Sequence, residues 1–198
     1  DEYLSGNVRQ KLRTAQRVAA RDPFFAGNVD ALIAAQPKDL EASEIEVRLG
    51  ATWLDKKYIE QFMYETFETP RYLRGQIEIS YVPYTAEWQV SRKSMVRYND
   101  VAAFTTYGTD RASAYRLLED ALNLRDIRIY DTIEDADGRE RRVLNAKETT
   151  LAAQKQQLIR DAFKDWIWKD PERRETLVRQ YNEEMNSTRP REYDGSHI

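Results

Sequence analysis

"GQIEISYVPYTAEWQV", residues 75–90, decides the fold class of this chain. Ile77, Ile79 and Tyr81 alternate with Glu78 and Ser80, which is the period of a half-buried strand. Trp88 and Val90 repeat that period beyond a turn containing Pro83. The spacing predicts strands over Ile77–Val82 and roughly Trp88–Val90. Segments on either side repeat at helical spacing instead, so the pattern as a whole predicts an α+β protein.

Working toward the N-terminus, Tyr58, Ile59, Phe62, Met63 and Phe67 form one apolar stripe in "KKYIEQFMYETF", with Asp55 as its cap and Pro70 as its end. Before it, Ile45, Val47 and Leu49 alternate with charged residues and predict another half-buried strand, closed by Gly50. Two short helices are expected earlier still. The first carries Val8, Leu12, Ala15 and Ala19, is capped at Ser5 or Asn7 and stops at Asp22-Pro23. The second lies in "NVDALIAAQ" and ends at Pro37.

Toward the C-terminus, Ala114, Leu117, Leu118, Ala121 and Leu122 mark the buried face of a helix expected to begin at Thr109. "RDIRIYDTIEDADGRERRVLN" predicts a hairpin with Asp137-Gly138 as its tight turn. After Asn145 a long amphipathic helix is expected, with the stripe Leu151, Leu158, Ile159, Ala162, Phe163, Trp166 and Ile167. Asp170 then caps a second helix with Pro171 in its first turn, carrying Leu177, Val178, Tyr181 and Met185. The expected organisation is a mixed α+β domain over 1–144, whose small core holds β-hairpins. A C-terminal two-helix hairpin over 145–187 follows, and then a linker over 188–198.

Composition removes several chemistries. The chain has 198 residues, 41% hydrophobic and 33% charged, with a net charge of −3. It is large enough for a real core beneath a charged surface. The near-balanced charge argues against a wholly basic surface and leaves room for a local basic patch. There is no cysteine, hence no disulfide or thiolate chemistry, and His197 is the only histidine. Histidine metal sites and Ser-His-Asp triads are thereby all but excluded. No apolar run approaches the roughly 18 residues of a membrane span, and no signal-peptide pattern opens the chain. A cytoplasmic location without membrane contact is expected. The chain opens on Asp1, which reads as a processed protein or an excised piece.

No phosphate loop, dinucleotide glycine triplet or GxSxG elbow occurs. The acidic pairs Glu119-Asp120, Asp135/Asp137 and Glu183-Glu184 read as solvated surface, and "DTIEDADGRE" lacks the ligand spacing of a calcium loop. The candidate binding surface is "YVPYTAEWQVSRKSMVRYND". It sets Tyr81, Tyr84, Trp88 and Tyr98 among Arg92, Lys93 and Arg97. Cations neutralise phosphates while aromatic faces stack on exposed bases, so this mixture suits nucleic acid. The same aromatics would equally serve as the core of the sheet. A second basic cluster, Arg139, Arg141 and Arg142, follows the hairpin turn; it fits a phosphate contact or a solvated tip. Trp166 and Trp168 stand two apart on a helix and cannot share a face.

"VRLGATWLDKKYIEQFMYE", "YGTDRASAYRLLEDALNLRDIRIYDT" and "LAAQKQQLIRDAFKDWIWKDPERRETLVRQYNEEMNSTRPREYDGSH" resemble one family along nearly their full length. Its members are very large helicase–methyltransferase proteins of phages and integrative conjugative elements, related to phage antirestriction proteins. They join an N6-adenine DNA methyltransferase to an SNF2-like superfamily 2 motor. The resemblance implies a segment between those two domains, with "RPREYDGSH" leading into the motor. The methyltransferase Asn/Asp-Pro-Pro-Tyr/Phe motif is absent, as are the Walker A loop and acidic box. The resemblance therefore implies no catalytic residue and no cofactor in this chain, although the parent would use ATP and S-adenosylmethionine. It implies as partners DNA and the flanking methyltransferase and helicase domains. A protein–protein scaffold without DNA affinity stands as the alternative, with an apolar patch near Trp166 or Trp168. A metal-dependent nuclease, with acids gathered by the fold, is a further one.

Overall fold

A computed structural model describes residues 2–191. The expectation for "RPREYDGSHI", a stretch ordered as far as Tyr193 with His197 unpartnered, therefore falls almost wholly outside the described residues. The protein is α+β: small two-stranded antiparallel sheets set among helices, ending in a pair of consecutive helices. Its contacts divide it into two units, Asp1–Glu46 with Pro171–Ile198, and Val47–Asp170. The cuts differ from the expected boundary at 144/145. They fall where the extended chain after Glu44 leaves the first unit and at the Asp170–Pro171 joint, so the two C-terminal helices belong to different units.

In the first unit, strand β1 (Gly6–Asn7) leads directly into helix α1 (Val8–Ala19). The Asn7 side chain accepts from the Gln10 amide and caps α1. Asp22 caps a single tight turn at Pro23–Phe25, and helix α2 starts at Ala26–Ala34, two residues earlier than the sequence pattern places it. Val8, Ala15 and Leu32 form the seam between α1 and α2, with Leu4, Leu12 and Val29 at its margin. Helix α6 (Pro171–Glu184) buries Leu177 and Asn182, while Met185 beyond its end is exposed. Asn182 accepts from the Leu40 amide at 2.8 Å and donates to the Leu40 carbonyl at 2.9 Å. This pins an extended segment that has no ladder partner. Strand β6 (Thr188–Arg189) pairs with β1, Gly6 opposite Arg189.

The second unit opens with the segment expected to be a strand. Ile45 at its threshold and Val47 and Leu49 within it are buried, yet the backbone is irregular and joins no sheet. Alternation reported burial correctly but not pairing. Gly50 ends it with φ +85°. A Cβ there would lie 2.2 Å from the Leu122 carbonyl oxygen, so only glycine fits. Asp55 caps helix α3 (Lys56–Thr66), which buries Ile59, Phe62 and Met63. Strands β2 (Ile79–Val82) and β3 (Glu87–Val90) pair in the expected hairpin, Tyr81 opposite Trp88.

Helix α4 (Ala114–Leu122) is the centre of this unit, with six of its residues buried. It starts at Ala114 under a Ser113 cap rather than at Thr109, because Thr109 and Ala112 close a tight turn of their own. The 102–106 segment, for which no element was expected, is a wide helical turn. Lys155 donates to the Thr105 and Thr106 carbonyls at its end. Strands β4 (Tyr130–Glu134) and β5 (Glu140–Leu144) form the second hairpin, and β5 is exposed throughout. Helix α5 (Ala146–Lys169) follows its Asn145 cap and buries Ala152, Gln156, Ile159, Phe163 and Ile167. Leu151 and Leu158, expected in that stripe, are 41% and 43% exposed. The buried line is shifted because the amide of Gln156 is fully bonded inside it: it accepts from Ile127 N and donates to the Arg125 and Leu117 carbonyls. Among the described residues no helix is long and apolar enough to cross a membrane.

Candidate nucleic-acid interface

The residues expected to touch nucleic acid all lie in the Val47–Asp170 unit, but they do not share one fate. Trp88 is only 6% exposed and packs on Tyr81 with ring centres 5.0 Å apart. Its amide and carbonyl are both held by Asn123, at the end of α4. Trp88 is thus a core residue with no face to offer a base, and it leaves the expected surface. Tyr84, at the tip of the β2–β3 turn, is 98% exposed.

The basic loop after β3 is held from beneath by α4. Glu119 accepts from the Val90 amide at 2.7 Å and from the Lys93 ammonium at 2.5 Å. Lys93 is therefore paired and half-buried. Arg92 adopts a left-handed conformation, φ +49°, and turns the chain into a single tight turn over Lys93–Met95. Arg92 and Arg97 are exposed and make no ion pair among the described residues. Tyr98 is 86% exposed and lies against Phe104, ring centres 5.3 Å apart and 41° tilted.

In the β4–β5 hairpin, Arg139 is exposed and makes no ion pair among the described residues, and Arg141 lies 4.0 Å from Asp135. The Arg142 guanidinium sits 4.5 Å above the Tyr130 ring, a cation–π contact. Two arginines not singled out in the sequence bridge the hairpin to the basic loop. Arg111 pairs with Asp131 at 2.8 Å and donates to the Tyr130 carbonyl at 2.9 Å. Arg116 donates to the Arg111 carbonyl at 3.3 Å and makes no ion pair among the described residues. A cavity of about 280 Å³ opens between them and the loop, with Lys93 and Tyr98 on its other walls. Lys93, Arg111 and Arg116 thus share one cavity, and Arg111 joins it to the hairpin through Tyr130, over whose ring Arg142 sits. The missed signal was the Ser113 cap: placed correctly, it sets Arg111 just ahead of α4 and Arg116 in its first turn.

Hydrogen bonds from Arg111 and from Asn145 hold the Asp131 carboxyl below the usual carboxylate range. Burial pushes the Asp120 carboxyl up, against the attraction of Arg116. Burial likewise pushes the Tyr115 phenol up to about 12, with its hydroxyl bonded to Thr69 at 2.7 Å. Of the three, Tyr115 is a core group, Asp120 is half-buried and Asp131 lies at the surface. Among the described residues no three His, Cys, Asp or Glu stand close enough to hold a metal ion. Trp166 packs on Phe62 and Phe163 and donates to Glu65 at 2.7 Å, and Trp168 is half-buried. In the first unit Phe24 is an exposed aromatic, at 86%.

Residues 48–187 match the model of a family described as Domain of unknown function (DUF8437). The match covers well over half of the chain, and the chain belongs to that family. No curated protein and no solved structure matches it.

Proposed function

We propose that this chain is a non-catalytic, DNA-contacting connecting domain of a mobile-element helicase–N6-adenine DNA methyltransferase. It couples the methyltransferase to the SNF2-like motor within one cytoplasmic polypeptide. The observation that supports DNA contact is the joining of two basic clusters, far apart in sequence, through Arg111 and Arg116. Arg92, Arg97 and Arg139, which make no ion pair among the described residues, together with Arg116 release counterions from a phosphate backbone when they bind it. Exposed Tyr84 and Tyr98 supply faces for unpaired bases. The parent context rests on the sequence resemblance. ATP and S-adenosylmethionine belong, in this reading, to the neighbouring domains.

Fluorescence anisotropy with labelled duplex and single-stranded DNA across a salt series tests the contact. Arg92→Ala/Arg97→Ala/Arg139→Ala removes three cations without disturbing an ion pair. The slope of log K against log salt on duplex is expected to fall by up to about 0.9 per lost phosphate contact. Parent-like binding by the triple variant at low salt defeats the assignment. The reading frame around this segment tests the context: a methyltransferase motif is expected upstream and an ATP-binding loop downstream.

A scaffold reading has one observation in its favour. Phe24 stands exposed beside Phe25, and an apolar groove of about 450 Å³ lies between Tyr3, Val18 and Phe25. This reading requires that the isolated chain bind neither form of DNA.

A further inference from the structure

The cavity at the start of α4 has a composition that the nucleic-acid track alone does not explain. Its walls carry three cations, Lys93, Arg111 and Arg116, and two hydroxyls, Ser94 and Ser113. The positive end of α4, a nine-residue helix, opens beside it at the Ser113 cap. Tyr98 forms one rim, backed by Phe104 and otherwise open to solvent. At about 280 Å³ the space is small beside the roughly 300–1,000 Å³ of ordinary ligand pockets. It suits a phosphate with its sugar rather than a whole cofactor.

We propose that this cavity seats one phosphodiester of a single DNA strand, with the adjoining base stacked on Tyr98. The proposal rests on the DNA reading above and sharpens it, by naming the strand form and the nucleotide-sized site. Lys93 and Arg111 are already paired, with Glu119 and Asp131, so they supply fixed walls. Among the described residues Arg116 makes one side-chain hydrogen bond, to the Arg111 carbonyl, and feels the attraction of Asp120, so its guanidinium has donors left for a phosphate oxygen. Asp110 is the carboxylate on the lining, and it opposes an anion. A duplex keeps its bases stacked and cannot cover Tyr98, whereas an unpaired strand can.

The test uses the full chain and a fluorescein-labelled oligothymidylate of about a dozen nucleotides, long enough for one single-strand site. Tyr98→Ala is expected to weaken binding about fivefold or more with no change in salt slope, and Tyr98→Phe to restore it. Arg116→Ala is expected to lower the slope by about 0.7, the value of one phosphate on a single strand. Asp110→Asn is expected to tighten binding several-fold, an effect that a folding defect cannot mimic. Duplex affinity is expected to change little in Tyr98→Ala. If the parent chain binds oligothymidylate and all three variants bind as it does, the seat is wrong while the DNA reading stands. If Tyr98→Ala weakens duplex and single strand alike, the strand assignment is wrong. If the parent chain binds neither, both proposals fall together.

Discussion

Replacing Gln156 by leucine tests whether one buried amide holds the approach to the β4–β5 hairpin. Gln156 is 1% exposed in the middle of α5. Its side chain accepts from the Ile127 amide at 3.2 Å and donates to the Arg125 carbonyl at 2.9 Å. A longer 3.4 Å contact goes to the Leu117 carbonyl inside α4. Gln156→Leu leaves one donor and one acceptor of the 125–127 segment buried and unpaired. Each orphan costs about 1–3 kcal/mol. The apolar area gained by leucine offsets about 1–2 kcal/mol. Taken at mid-range, two orphans near about 2 kcal/mol each less that offset leave a net loss of about 2–3 kcal/mol, or a Tm lower by about 4–12 °C for a chain of this size. All four tryptophans, Trp53, Trp88, Trp166 and Trp168, lie within Val47–Asp170, so tryptophan fluorescence during urea or thermal unfolding reports on this unit. Gln156→Glu supplies a second readout. A neutral carboxyl both accepts from Ile127 and donates to Arg125, whereas a carboxylate has no proton to donate. Burial raises its folded pKa above the unfolded value near about 4, so this variant is expected to lose stability as pH rises through that interval. A loss below about 1 kcal/mol for Gln156→Leu, with a glutamate variant that tracks the parent at every pH, refutes the reasoning.

Two further outcomes follow from the backbone and from titration. Gly50→Ala is expected to cost more than about 2 kcal/mol in urea unfolding, since its Cβ meets a backbone oxygen that cannot swing aside. Gly6→Ala, at φ +70° with nothing within 4 Å, isolates the strain alone and is expected to cost less; equal losses contradict the clash. Asp131 stays ionised in the folded state to lower pH than in the unfolded chain. Its contribution is therefore complete above the unfolded carboxylate pKa and is lost as pH falls toward the depressed folded value. Asp131→Asn is expected to flatten the acid limb of the Tm–pH curve below about 4, and an unchanged limb shows that the Arg111 contact carries no linkage.

Local rules read several helices correctly from sequence: Asn7 and Asp55 cap α1 and α3 as expected. Ser113 and Asn145 cap α4 and α5 through the same local chemistry, although α4 was expected to begin at Thr109. The errors arise where distant groups decide the outcome. Ile45, Val47 and Leu49 alternate like a strand, but a ladder needs a second strand, and the sequence of one segment says nothing of its partner. Leu151 and Leu158 look like core residues until Gln156 finds three backbone partners and turns its own face of α5 inward. The site shows the same division. Composition identified the basic and aromatic residues, but burial removed Trp88, and pairing with Glu119 reduced Lys93 to a fixed wall. Arg111 and Arg116 were hidden because their significance depends on contacts to Tyr130 and the loop, not on their neighbours in sequence.

These long-range contacts converge on α4, and their convergence bears on binding. The β2–β3 ribbon has an unpaired edge along β3, with the amides of Trp88 and Val90 turned outward. Asn123 takes the first and Glu119 the second, so helix side chains close an edge that would otherwise invite another strand. Glu119 simultaneously grips Lys93, which ties the basic loop to the same helix that buries Leu117, Leu118 and Leu122. Arg116 projects from the first turn of that helix, and Arg111 stands just before it. Of the cations proposed to meet a phosphate, Arg116 is therefore mounted on the most buried element of the unit, and Lys93 is tied to it through Glu119. Little ordering entropy remains to be lost when a strand binds. The same arrangement makes the track depend on the core: a change that shifts α4 moves the loop, the cavity and the hairpin anchor together.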